Sequence, residues 1–231
     1  MKISPTLTEV KEIAKTGKYD ILPVSCEILS DFITPIEAMR ILQNVSTHCY
    51  LLESAQANEA WGRYTFLGYD PKLEINCIDG HMKLGKLSVE TENPSEYIRQ
   101  ILSEYKSPKF DYLPSFTGGL VGYFSYDYLG YKEKSIRGKA RDTEDFKDVD
   151  LMLFDKVIAF DNLCQKIILI ANMSLDAPET GYNKAIVELK QLRELLMHGE
   201  KKQNMGGKLL GEVTPLFDKE QYCDCLLYTS P

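Results

Sequence analysis

The pair Asp79-Gly80 restricts the fold more than any other feature of this chain. Both central residues of a two-residue hairpin turn need φ > 0, and the pair separates two runs of strand composition, Lys72 to Ile78 and His81 to Val89. Upstream, Cys49 to Leu52 is a short apolar run, and Gly62 to Tyr69 is rich in aromatic and β-branched side chains. Four strands are therefore expected to meander in sequence from Cys49 to Val89. Ile21 to Leu29 reads as an earlier strand, and Asp150 to Phe160 with Gln165 to Met173 as a long hairpin across Asn162. Hairpin-linked runs dominate and no regular βαβ alternation appears. The pattern predicts an α+β fold, an antiparallel β-sandwich with flanking helices.

Helices punctuate these strands. Thr6 and Glu9 have capping-box spacing ahead of Val10, Ile13 and Ala14, giving a short helix that ends near Thr16 or Gly17. Thr34, Pro35 and Glu37 open a second helix, and Asn93, Pro94 and Glu96 cap a third, with Tyr97, Ile101, Leu102 and Tyr105 on one side. Pro178 to Met197 is a long helix with Ile186, Leu189, Leu192, Leu195 and Leu196 on its apolar side. Gly118, Gly119 and Gly122 lack the Lys-Ser/Thr pair and the spacing of a nucleotide loop. They read as a close-packed strand that lets neighbouring backbone or Tyr123, Phe124, Tyr126 and Tyr128 approach. Lys132 to Asp148 is a solvated excursion of mixed charge, and Gly199 to Gly211 has linker composition.

With 231 residues, 44% hydrophobic, the chain can bury a sizeable core, and a net charge of −7 with no basic stripe argues against a nucleic-acid partner. The N-terminus has no apolar core of signal-peptide length and no segment approaches about 18 uninterrupted apolar residues, so a cytoplasmic protein without membrane contact is expected. Six cysteines without framework spacing fit reduced thiols, with Cys26, Cys49, Cys77 and Cys164 as small buried hydrophobes in strand-like runs. No zinc pattern is present.

The stretch His48 to Pro71 carries the chemistry. Glu53 and Ser54 follow directly on an apolar run, a carboxylate and a hydroxyl suited to holding the ammonium end of a small zwitterion. Arg63, one strand over, is placed to answer its carboxylate or to pair with Glu53 as an ordinary strand-end ion pair, with Ser54 opening a turn. Glu9 with Glu12, and Asp142 with Asp145, have i, i+3 spacing in exposed polar contexts; His48, His81 and His198 are isolated; Asp155 and Asp161 read as turn and edge residues. No catalytic residue and no metal ligand is assigned.

LLES at Leu51 to Ser54, WGRYTFLGYDP at Trp61 to Pro71, PSFTGGLVGYFSYD at Pro114 to Asp127 and DLMLFDKVIAFDN at Asp150 to Asn162, in this order, resemble the N-terminal half of anthranilate synthase component I. The resemblance runs to about Asp224. It implies residues 1–198 as an N-terminal regulatory, tryptophan-binding region, 199–213 as a linker and 214–224 as the start of a truncated chorismate-binding domain. Residues 225–231 resemble a translated adapter tail, so the chain is expected to be a truncated fragment.

The family converts chorismate and ammonia to anthranilate and pyruvate in tryptophan biosynthesis, using Mg²⁺ and a glutamine amidotransferase partner, component II. The resemblance puts the metal and acid/base groups in the missing half, so the fragment is expected to be inactive and to bind no metal. It makes Glu53 and Ser54 ligands of the feedback inhibitor tryptophan and Leu52 a packing surface for its indole, with Arg63 and Tyr64 contributed by the facing strand. Two alternatives stay open. One is an aminodeoxychorismate synthase component I fragment, which LLES and GRYTFLG favour less, and the other is a stand-alone amino-acid-binding module ending near residue 213.

Overall fold

The computed structural model describes residues 2–53, 62–135, 146–203 and 206–229. The first half of the chain forms β1 (Ile3–Ser4), α1 (Leu7–Lys15), β2 (Ile21–Leu29), α2 (Pro35–Val45), β3 (Cys49–Leu52), β4 (Tyr64–Tyr69), β5 (Leu73–Ile78), β6 (His81–Leu84), β7 (Leu87–Glu90) and α3 (Pro94–Ser103). The second half forms β8 (Gly119–Phe124), a 3₁₀ helix (Tyr126–Tyr131), β9 (Val149–Phe154), β10 (Lys156–Asp161), β11 (Lys166–Ser174), α4 (Pro178–His198) and α5 (Lys219–Thr229). Among the described residues the strands make two sheets, one of six strands in the order β1-β2-β11-β10-β4-β3 and one of five in the order β7-β6-β5-β9-β8. Every pairing is antiparallel. Antiparallel sheets with flanking helices are what the hairpin pattern predicts. No helix among the described residues is long and apolar enough to cross a membrane.

Alternation along the central strands explains how the six-stranded sheet buries both faces. Ile167, Leu169, Ala171 and Met173 of β11, with Ile158 and Phe160 of β10 and Leu22, Val24 and Cys26 of β2, face the helices α1, α2 and α4. Val157, Ala159, Ile168 and Ile170 point the other way, onto Leu113, Phe110 and Phe116 of the segment that follows α3. Each such fully buried Leu or Ile contributes about 1.5–3 kcal/mol. Helix α4 supplies Tyr182, Ala185, Leu189, Leu192 and Leu196, a helical stripe of spacing three and four, and Tyr182 Oη donates to Pro5 O at 2.9 Å. The five-stranded sheet has its own core, Ile75, Cys77, Met82, Val149 and Leu151 under Ile98 of α3.

The capping boxes at Thr6/Glu9 and Thr34/Glu37 are both formed. Other expectations are revised. The four strands do not form one meander: β3 and β4 pair in the first sheet and β5 starts the second, because the chain turns at Asp70, with φ 53°, before Pro71. His81 to Val89 is two strands, since Gly85, at φ 59°, opens a second tight turn. The run after Asp150 also changes sheets, at Asp155, which lies between β9 and β10 and whose carbonyl accepts from Asn172 N and Nδ2, one position beyond the Lys156–Ala171 pair. Asn93 makes no side-chain cap; its Nδ2 donates to Glu96 Oε1 and its Oδ1 accepts from Ser95 Oγ. Cys164 is an exposed turn residue, not a buried strand cysteine.

The glycine-rich strand is close-packed as read: a Cβ on Gly122 would stand 1.9 Å from Asp150 O. Of the excursion between Lys132 and Asp148, residues 136–145, which include Asp142 and Asp145, lie outside the described residues. The start of the linker is not free. Lys202 N donates to Arg40 O, Arg40 Nε to Lys202 O and Asn44 Nδ2 to Glu200 O, strapping it along α2. Helix α5 opens on a reciprocal Asp218/Gln221 box and is exposed along its length as far as residue 228.

Candidate functional site

Strand register brings the candidate residues to one end of the six-stranded sheet. Leu52, the last residue of β3, pairs with Phe66, and Tyr64, the first of β4, pairs with Asp161, the last of β10. Leu52 is half-exposed and Glu53, next in line, is exposed. Ser54 lies outside the described residues. Residues two apart on a strand share a face, so Tyr50 and Leu52 of β3 line up with Tyr64 and Phe66 of β4 on the side away from the helices. There the rings form a chain of contacts: Tyr64 to Phe66 at 5.8 Å, Phe66 to Phe116 at 5.6 Å, Phe116 to Tyr50 at 6.4 Å and Tyr50 to Phe154 of the second sheet at 4.7 Å. Gly68 is required under this row, because a Cβ there would stand 2.2 Å from Tyr50 Cε1. Burial pushes the Tyr50 phenol up, and its oxygen has no hydrogen-bond partner among the described residues.

Arg63 does not pair with Glu53. Its Nε and Nη2 donate to Asp161 Oδ1 at 3.1 Å and Oδ2 at 2.7 Å, a bidentate pair in which the Asp161 side chain is fully buried. The same carboxylate accepts from the amides of Leu163 at 3.2 Å and Cys164 at 3.0 Å, closing the β10–β11 turn. Burial works against the charge on Asp161. The Arg63 hydrogen bonds and charge, with the Cys164 amide, outweigh it and hold the carboxyl below the ordinary carboxylate range. The reciprocal bond to Asp161 raises Arg63 further above an already high value. The guanidinium carbon sits 4.8 Å from the centre of the Tyr64 ring, and burial, reinforced by the Asp161 charge, raises that phenol. Asp161 is thus a turn residue, as its position suggests, but it belongs to an inner strand and not to an edge.

This end of the sheet joins a row of packed aromatic rings to one fixed cation and one exposed carboxylate. Sequence reasoning missed Asp161, Tyr50, Phe66 and Phe116 as parts of it. Alternation in Tyr64-Thr65-Phe66 was the available signal for Phe66; nothing local marks a partner 98 residues away for Arg63. Among the described residues no group of three or more His, Cys, Asp or Glu side chains converges as a metal site requires.

Residues 47–227 match the family described as chorismate binding enzyme. The chain is 34% identical over 198 residues to anthranilate synthase component 1 of Acetivibrio thermocellus, covering 83% of this chain and 39% of that protein. It is 36% identical over 196 residues to the protein of the same name from Pseudomonas aeruginosa, covering 81% and 39%. Among solved structures, anthranilate synthase component I from Streptococcus pneumoniae superimposes with a TM-score of 0.47 at 25% identity, over 72% of this chain and 36% of that one. The chain spans about two fifths of the length of these relatives. By the extent of the family match, which takes in most of the sequence from just before β3 to within α5, this chain belongs to the chorismate binding enzymes.

Proposed function

We propose that this chain is the N-terminal part of an anthranilate synthase component I, whose whole length turns chorismate and ammonia into anthranilate and pyruvate. In this reading residues 1–198 are the regulatory region and carry most of the tryptophan feedback site, the rest coming from the second half, 199–213 link it onward and 214–224 begin the chorismate-binding portion, with the protein placed in the cytoplasm. The observation that carries it is the alignment, over four fifths of this chain, with relatives bearing that name. Leu52 packs the indole, Glu53 faces the ammonium, Ser54 is a further ligand by the family resemblance, and Arg63, supported on Tyr64, addresses the carboxylate. Component II delivers the ammonia. Mg²⁺ supplies Lewis-acid chemistry in such a reaction, but the described residues offer no cluster to hold it, so no step is assigned to it in this chain.

Two assays test the reading. The 231-residue chain, given chorismate, Mg²⁺ and ammonia, is expected to form no fluorescent anthranilate. A protein completed to the length of the relatives is expected to form it and to slow as tryptophan is added. Aminodeoxychorismate as the product, or anthranilate formed by the chain alone, would contradict the assignment.

A further inference from the structure

Two sets of hydrogen bonds tie the start of β4 to the β10–β11 turn. In the first, Asp161 takes Nε and Nη2 of Arg63 while accepting from the amides of Leu163 and Cys164. In the second, Asn162 N donates to Arg63 O at 2.8 Å, and Asn162 Nδ2 reaches Gly62 O at 3.3 Å and Thr65 Oγ1 at 3.4 Å. The first set fixes the side chain of Arg63 and the second fixes the backbone on either side of it. We propose that Asp161 and Asn162 are positioning residues that hold Arg63 as the carboxylate-reading group of an amino-acid site, an inference that rests on the tryptophan-binding reading above.

The geometry carries this further than a simple strand-end ion pair would. A lone arginine at the sheet end would sample many rotamers and would lose that freedom on binding a ligand. Here one edge of the guanidinium is clamped by a carboxylate with no exposed surface and the ring of Tyr64 lies 4.8 Å from its carbon. Nη2 has a further long contact, 3.7 Å to the exposed Cys164 Sγ. Nη1 is engaged by none of the described hydrogen bonds and ion pairs, and the side chain as a whole is 37% exposed, so among the described residues its donors are open to a ligand. A carboxylate arriving there meets donors already oriented. Lysine at position 63 would have no planar fork and could not hold Asp161 bidentately while presenting a second, fixed set of donors to a ligand.

The test uses the ¹⁵N-labelled 231-residue chain and two probes, L-tryptophan and tryptamine, which share indole and ammonium and differ in the carboxylate. Tryptophan is expected to shift the Arg63 Nε–H signal and to bind about tenfold more tightly than tryptamine. In Asp161→Asn the preference for tryptophan is expected to fall to within about twofold, with the tryptamine affinity unchanged. If that variant fails to fold, Asp161→Glu keeps a carboxylate for Arg63 and for the Leu163 and Cys164 amides but moves the guanidinium by the length of a methylene, and should lower the preference in the same direction. Asn162→Ala should lower the preference in the same direction by less. Variants that retain the preference, or weaken both probes equally, would overturn the positioning role and leave the binding reading standing. A wild-type chain in which tryptophan moves no signal would end the binding reading and the positioning role with it.

Discussion

Each of the two sheets is closed at a hairpin by an aspartate, and the two closures differ in charge. In the six-stranded sheet Asp161 is ion-paired to Arg63 and its side chain is fully buried. In the five-stranded sheet Asp148 Oδ2 accepts from Tyr131 Oη at 2.7 Å and from Asp79 N at 2.8 Å, while Tyr131 Oη accepts from Gly80 N at 2.7 Å, and Asp148 stays partly exposed. A carboxylate held by neutral donors keeps some water; one stripped of water altogether has a guanidinium against it. This follows from the cost of burying charge, which falls only when an opposite charge and good hydrogen bonds are supplied together. The neutral closure holds the Asp79-Gly80 turn. The charged closure also immobilises a cation at the end of the sheet where Leu52 and Glu53 emerge, and that is the physical basis of the site proposed there.

The comparison is broken most severely at Asp161. Asp161→Ala leaves the Leu163 and Cys164 amides without their acceptor and the part-exposed Arg63 without its partner, and should cost about 2–3 kcal/mol in urea unfolding. A loss below about 1 kcal/mol would mean the pair is no more than a surface contact. At the other closure, Tyr131→Phe removes the hydroxyl between Gly80 N and Asp148 while keeping the ring, and about 1–2 kcal/mol is expected. A cost equal to that of Asp161→Ala would erase the distinction between the closures. The smallest effect is the pH dependence. Because the folded Asp161 carboxyl lies below its unfolded value of about 3.9, its contribution is fully present above that pH and is lost as pH falls through the folded value, so stability rises with pH in that acid range. Asp161→Asn should flatten this limb of the stability curve; an unchanged acid limb would show that Asp161 does not set it.

Where a signal is local, the sequence carried it: the Asp79-Gly80 turn, the capping boxes at Thr6 and Thr34, and the long stripe of α4 all form as their spacing requires. What was illegible is long-range. Strand periodicity cannot say which sheet a strand joins, so it reads the strands on either side of Asp70 as one meander and Asp150 to Phe160, across Asp155, as one strand. The site divides in the same way. Leu52, Glu53, Arg63 and Tyr64 stand out from their own strands, but Asp161 becomes the partner of Arg63 only through the pairing of β4 with β10. Asn93 shows the opposite failure, since a residue type and position suited to a cap were diverted to Ser95 and Glu96.

The most direct test of the sheet end as an amino-acid site is the tryptophan inhibition curve of Glu53→Gln in a protein completed to the length of its relatives. Glu53 is exposed, so the substitution should leave the melt unchanged while removing the charge proposed to face the ligand's ammonium. The inhibition constant is expected to rise about tenfold with turnover preserved. An inhibition curve that overlays that of the unsubstituted protein would contradict the placement of tryptophan at this end of the sheet.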